Sequence, residues 1–127
     1  MGHKVNPISM RLGYIKNWKS RWFAKRKDFA DFLNEDVAIR KYVKKNFSAA
    51  GVASIDIERA SNRTKVIIHT ARPGIIIGRK GADIDRLRDD LQDKTKKEIY
   101  IEIKEIKNPA IEAQLVAENI AFQLEKR

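Results

Sequence analysis

The sequence predicts an α+β domain with its helices packed on one face of a small sheet. Three observations carry that prediction: apolar residues switch several times between helical and strand spacing, two strand-like runs are separated only by a short polar turn, and a third stands alone between helical stretches. At 127 residues the chain suits one domain, with room for a real core but little for a second lobe.

Asp28 to Phe47 places Phe29, Phe32, Leu33, Val37, Val43 and Phe47 at mostly helical spacing, and Asn34 can cap a second segment, so one or two helices are expected before Gly51 stops them. Val52 to Ala60 alternates Ile55 and Ile57 with Ser54, Asp56 and Glu58, a strand with one wet face. Ser61-Asn62-Arg63 turns the chain into Lys65 to Thr70, β-branched enough to complete a hairpin. Pro73 to Ile77 is short and apolar, so one buried helical turn is expected there.

Ala82 to Thr95 sets Ile84, Leu87 and Leu91 against many charges, an amphipathic helix. Glu98 to Ile106 alternates Ile99, Ile101 and Ile103 with polar residues, a third strand. Asn108-Pro109 then reads as an N-cap and first helical residue, opening a helix striped by Ala113, Val116, Ala117, Ile120 and Leu124. No internal repeat or low-complexity linker interrupts this order.

Charge is concentrated at one end. Residues 1–27 hold eight of the 27 lysines and arginines and no acid, leaving 19 basic and 17 acidic residues in the other 100. Most of the net charge of +10 therefore sits in an N-terminal arm, the footprint of a polyanionic partner. A membrane surface fits less well. No apolar run approaches the roughly 20 residues of a spanning helix, and Asn6 stands where a myristoylation signal needs serine or threonine. An organellar transit peptide would also be basic and acid-free, but Asn6-Pro7 and Gly13 break any amphipathic helix there. The absence of cysteine excludes disulfides, thiolate metal sites and cysteine nucleophiles.

Gly78-Arg79-Lys80-Gly81 lies between the short apolar turn and the amphipathic helix. Glycines there permit backbone angles closed to other residues and let a ligand approach, while the helix start favours an anion. With Arg79 and Lys80 the loop reads as a phosphate-backbone clamp, beside a groove of Ile76, Ile77, Ile84 and the neighbouring strand that could take unstacked bases. A lone G-x-x-G is equally a tight turn between helices. The triple isoleucine before it, Ile84 after it and the flanking strand order favour the clamp.

Ile77-Gly78-Arg79-Lys80-Gly81-Ala82-Asp83-Ile84 matches the I-G-x-x-G-x-x-I core of the KH domain, and the element order resembles its type II variant. The N-terminus narrows the family. Met1 to Pro7, Arg11-Leu12-Gly13, Ser20-Arg21-Trp22-Phe23-Ala24, His69 to Gly74 and Asn108-Pro109 resemble the bacterial-type small ribosomal subunit protein S-three family over the whole chain. The resemblance implies a basic arm over residues 1–27 and a type II KH domain with a C-terminal helix over 28–127. It also implies an isolated N-terminal domain, since that family continues into a second α/β domain.

The family implies an RNA-binding structural constituent of the small-subunit head, near where messenger RNA enters. Small-subunit ribosomal RNA is the implied partner, messenger RNA a further candidate, and proteins S-ten and S-fourteen the neighbours. The implied location is the cytoplasmic ribosome, with an organellar ribosome as alternative and no membrane. Much of the family's basic surface toward messenger RNA belongs to the second domain, so no helicase-like role is expected here.

The candidate RNA-binding residues are Gly78, Arg79, Lys80 and Gly81 in the loop, Arg72 before it, and Lys4, Arg11, Lys16, Trp18, Lys19, Arg21, Lys25, Arg26 and Lys27 in the arm. The arm is expected to be extended, disordered when free, and ordered on RNA through phosphate contacts and counterion release. Trp18 and Trp22 each suit either base stacking or packing on the helix of Phe29 and Phe32, with stacking the favoured role for Trp18.

No enzymatic site, cofactor or metal is expected. His3 and His69 are far apart with no paired carboxylates nearby, Asp89-Asp90 and Asp93 read as a solvated helix face, and no G-x-x-x-x-G-K-[ST] is present. A free-standing KH regulator of single-stranded RNA is the alternative, distinguished by sequence-selective binding through the loop alone. A nucleic-acid enzyme using a lysine is a third class, without a positioned base or metal set to support it.

Overall fold

The computed structural model describes residues 2–127. In chain order it contains α1 (Pro7–Met10), β1 (Ser20–Arg21), α2 (Arg26–Asn46), β2 (Val52–Ala60), β3 (Arg63–Thr70), α3 (Pro73–Ile77), α4 (Ala82–Thr95), β4 (Glu98–Glu105) and α5 (Ala113–Glu125). The α+β class and the order from β2 to β4 follow the sequence expectation.

The sheet order is β1-β2-β3-β4, with β2 and β3 antiparallel and both outer pairs parallel. The hairpin turn is tighter than expected: Arg63 already pairs with Ala60, and Ser61 takes a φ of 55° to reverse the chain in two residues. Strand periodicity sends Ile55, Ile57, Val66, Ile68 and Ile99 into one core with Ile39 and Val43 of α2, Ile76 of α3, and Leu87 and Leu91 of α4. Gly51 does stop the first helical region, with a φ of 69° after a 3₁₀ turn over Ser48–Ala50.

Several expectations are corrected. The first helical region is a single helix, one of the two arrangements expected, with no break at Asn34, but its buried face is Asp36, Ile39 and Val43. Phe29, Leu33 and Val37 are exposed, since the face turned to the core is that of Asp36, Ile39 and Val43, and Phe29 packs against Trp22. Only Ile76 of the triple isoleucine is buried, since a single helical turn has one inward position; Ile75 and Ile77 remain exposed. Asn108-Pro109 opens a 3₁₀ turn, Pro109–Ile111, with no side-chain cap, and α5 starts only at Ala113. Its Val116, Ile120 and Leu124 stripe stays exposed.

The arm is also more structured than expected. Asn6-Pro7 begins a helical turn of 4 residues, too short for an amphipathic helix: Asn6 Oδ1 accepts from the amides of Ile8 at 2.9 Å and Ser9 at 3.3 Å, with Pro7 at the first helical position. Ser20 and Arg21 add a fourth strand by pairing with Ile57 and Glu58.

Candidate nucleic-acid interface

The glycine loop is shaped by its backbone. Gly78 ends α3 by donating its amide to Gly74 O at 3.0 Å, at φ 72° and ψ −168°, a region open essentially to glycine alone. A side chain here would also collide with its surroundings, because a Cβ would fall 2.8 Å from Asp83 Cβ. Gly81 is left-handed too, at φ 76°, but its nearest neighbour to an added Cβ is Ile84 at 3.8 Å, ordinary contact. Between them Lys80 is held at φ 53° and ψ 27°, unusual for a residue with a side chain.

These angles leave Arg79 and Lys80 exposed, and neither forms an ion pair among the described residues. The start of α4 has no side-chain cap from Gly81, so its amides face the loop. Asp83 and Asp85 lie in the same first turn. They complement the helix dipole while opposing an incoming phosphate, so this site attracts anions less than two free cations would. Ile76 is fully buried and does not line the adjoining groove, a correction to the sequence reading. Ile77 is exposed and Ile84 half-buried, and on the edge strand β4 Ile101 and Ile103 are half-buried and packed against the core.

The arm's cations separate into two sets. Lys4, Lys16, Lys19, Lys25, Arg26 and Lys27 are exposed, and Arg11 donates to Pro7 O at 2.9 Å from an exposed position. Arg21 is different: it is half-buried, donates to Glu58 Oε1 at 2.6 Å and lies 3.6 Å from Asp56. Its charge is taken up by the protein. Arg72 is exposed, reaching Ala49 O at 3.5 Å.

Trp18 stays exposed, as do Tyr14 and Phe23, which the sequence reading did not single out. Aromatic rings among exposed cations are the composition of a stacking platform. Trp22 packs instead, with ring centroids 5.4 Å from Phe29 and 5.6 Å from Phe32.

The sheet face away from the helices offers paired charge. Arg63 faces Glu98, Lys65 faces Glu102 at 2.8 Å, and His69 Nε2 lies 3.2 Å from Asp56. The hydrogen bond to Glu102, followed by that carboxylate's charge, holds the Lys65 ammonium above its ordinary pKa, and the same bond holds Glu102 below its own. Asp90, read from sequence as solvated, accepts from Tyr42 Oη at 2.7 Å; that bond and burial raise the Tyr42 pKa.

Reasoning from sequence also missed Asp36, Arg40 and Arg59, which join the arm to the body. The signal was present in the periodicity. Arg59 follows Ile55 and Ile57 on the inward side of β2, and Asp36 shares a helical face with Ile39 and Val43. Opposite charges at inward positions of two packed elements are a pair to look for.

The family model of the KH domain matches residues 38–111. Over all 127 residues the chain is 54% identical to small ribosomal subunit protein uS3 of Desulforamulus reducens, covering 58% of that protein. It is 59% identical to uS3 of Maridesulfovibrio salexigens and 57% identical to uS3 of Carboxydothermus hydrogenoformans, covering all of this chain and 59% and 57% of those proteins. The chain thus spans between 55% and 60% of the length of such curated relatives.

Proposed function

The chain belongs to the KH domain family, in the form carried by the N-terminal part of bacterial small ribosomal subunit protein uS3, and from that premise we propose that it binds ribosomal RNA as a structural, non-catalytic part of the small subunit. The observation that carries this reading is identity extending through the whole chain, arm as well as KH core. Residues 1–27 act as the RNA-seeking arm, and residues 28–127 as the KH body with its C-terminal helix.

Each surface has a mechanism. Exposed arm cations neutralise phosphates and release counterions, so affinity falls steeply with salt, by about 0.7 logarithmic units per phosphate on single strands. Trp18 stacks on a base, and Lys4, Arg11, Lys16, Lys19, Lys25, Arg26 and Lys27 supply the charge. Gly78, Arg79, Lys80 and Gly81 hold a sugar-phosphate chain against the start of α4, with bases directed along the groove of Ile77, Ile84 and β4. Arg72, at the start of α3, adds a cation nearby.

Resemblance to the family supports the finer placement: the head of the subunit, near where messenger RNA enters, beside proteins S-ten and S-fourteen, with messenger RNA as a second RNA partner. The bacterial source of the relatives supports a cytoplasmic ribosome over an organellar one. The test is reconstitution into small subunits followed by crosslinking from Lys80. Crosslinks to small-subunit ribosomal RNA are expected. Failure to co-sediment with the subunit, with binding only to short oligonucleotides, would favour a free-standing regulator instead.

A further inference from the structure

Asp36 has no exposed surface, yet its carboxylate joins three parts of the chain. Oδ2 accepts from Ser20 Oγ at 2.9 Å and Trp22 Nε1 at 2.6 Å, and Oδ1 accepts from Arg59 Nε at 3.1 Å and Nη2 at 2.5 Å. Two of those four donors belong to the arm. Arg40 holds the same segment again, donating to Lys19 O at 3.0 Å and to Ser20 Oγ at 2.8 Å.

Apolar packing alone does not call for this arrangement. A phenylalanine at position 22 would offer a ring to Phe29 and Phe32 without bringing a buried N–H that needs an acceptor. Directed hydrogen bonds to a buried carboxylate add something that packing lacks, a single permitted path for the chain. The path is fixed from Lys19 to Trp22, and exposed cations lie along and beside it: Lys16 before, Lys19 at its start, and Lys25, Arg26 and Lys27 after.

We propose that Asp36 is a positioning residue for RNA binding, a latch that fixes the root of the basic arm to α2 and β2 so that its cations meet the phosphate backbone already oriented. The inference rests on the RNA-binding reading above. It has a distinct signature: the number of neutralised phosphates sets the salt slope, whereas preorganisation changes affinity by the same factor at every salt concentration.

The test uses the Ser20→Ala/Trp22→Phe double variant, which removes both arm donors and keeps an aromatic ring and the Asp36–Arg59 pair. Binding to in vitro transcribed small-subunit ribosomal RNA is measured across a salt series, with affinities corrected for the folded fraction. A nitroxide on a cysteine introduced at Asn17, feasible because the chain has no cysteine of its own, reports the order of the arm root. The expected result is a mobile nitroxide and about tenfold weaker binding at every salt concentration with an unchanged slope. A mobile nitroxide with wild-type affinity overturns the latch, and so does a changed slope, which would put these side chains at phosphates. If the wild-type chain itself shows no salt-dependent binding, the RNA reading fails, while the nitroxide still reports whether the root is held.

Discussion

At the root of the arm the chain is held by side chains: a buried carboxylate, two arginines and a tryptophan fix a segment whose own backbone forms only two paired residues. At the glycine loop the chain is held by its own backbone, with positive φ at Gly78, Lys80 and Gly81 and no side-chain cap. The two regions lie at different ends of the sheet. The arm adds to β2, while α4 of the glycine loop packs on β4. Both present exposed cations to solvent, so one kind of surface is built by two kinds of restraint. Each should fail in its own way.

The sharpest contrast comes from Asp36→Ala. Arg59, with a side chain only 6% exposed, loses its buried carboxylate partner while Glu35 stays in reach, and the expected cost is about 4 kcal/mol of unfolding free energy in urea. At the loop, Gly78→Ala meets both a forbidden backbone region and Asp83, for a loss of about 2 to 3 kcal/mol. Gly81→Ala meets only the angle and should cost about 1 kcal/mol. Equal costs at the two glycines would show that neither the glycine-only angles of Gly78 nor the close approach of Asp83 adds to the ordinary left-handed cost.

The smallest effect concerns α5, which neither region holds. Burial is the largest single influence on Glu118 and raises its pKa, but hydrogen bonds from Lys44 and Gln114, with the Lys44 charge, together hold the carboxyl below its ordinary 4.5. Such a group stabilises the fold above its unfolded pKa, and that contribution is lost as pH falls through the folded value. The protection of α5 amides, taken relative to their intrinsic exchange rate at each pH, should therefore fall in acid while that of the sheet is kept. Glu118→Gln should remove that pH dependence.

How far the sequence could be read follows from the same contrast. Elements with strict periodicity, β2, β3, β4 and α4, were legible because apolar spacing reports directly which face is buried. The glycine loop was legible because only a few residue types permit its angles. The arm was not. Its order depends on long-range partners, with Ser20 and Trp22 reaching Asp36 across the fold, and a two-residue strand leaves no periodic trace. Arg21 shows the same limit: counted among free cations by composition, it is paired with Glu58 and Asp56 once the strand has added to the sheet. Arg21 therefore drops out of the arm's exposed charge, and a deletion through Lys27 would dismantle the latch along with the charges.

The most direct measurement is the salt dependence of binding to small-subunit ribosomal RNA for three proteins: the intact chain, a chain lacking residues 2–17, and the Arg79→Asp/Lys80→Asp variant. The truncation removes Lys4, Arg11 and Lys16 and spares every residue that touches Asp36. If those cations neutralise phosphates, its slope should fall by about 2 logarithmic units, and the loop variant's by about 1.4, with both proteins still folding cooperatively. Slopes equal to that of the intact chain in both variants would contradict the claim that the arm and the glycine loop are the RNA-binding surfaces.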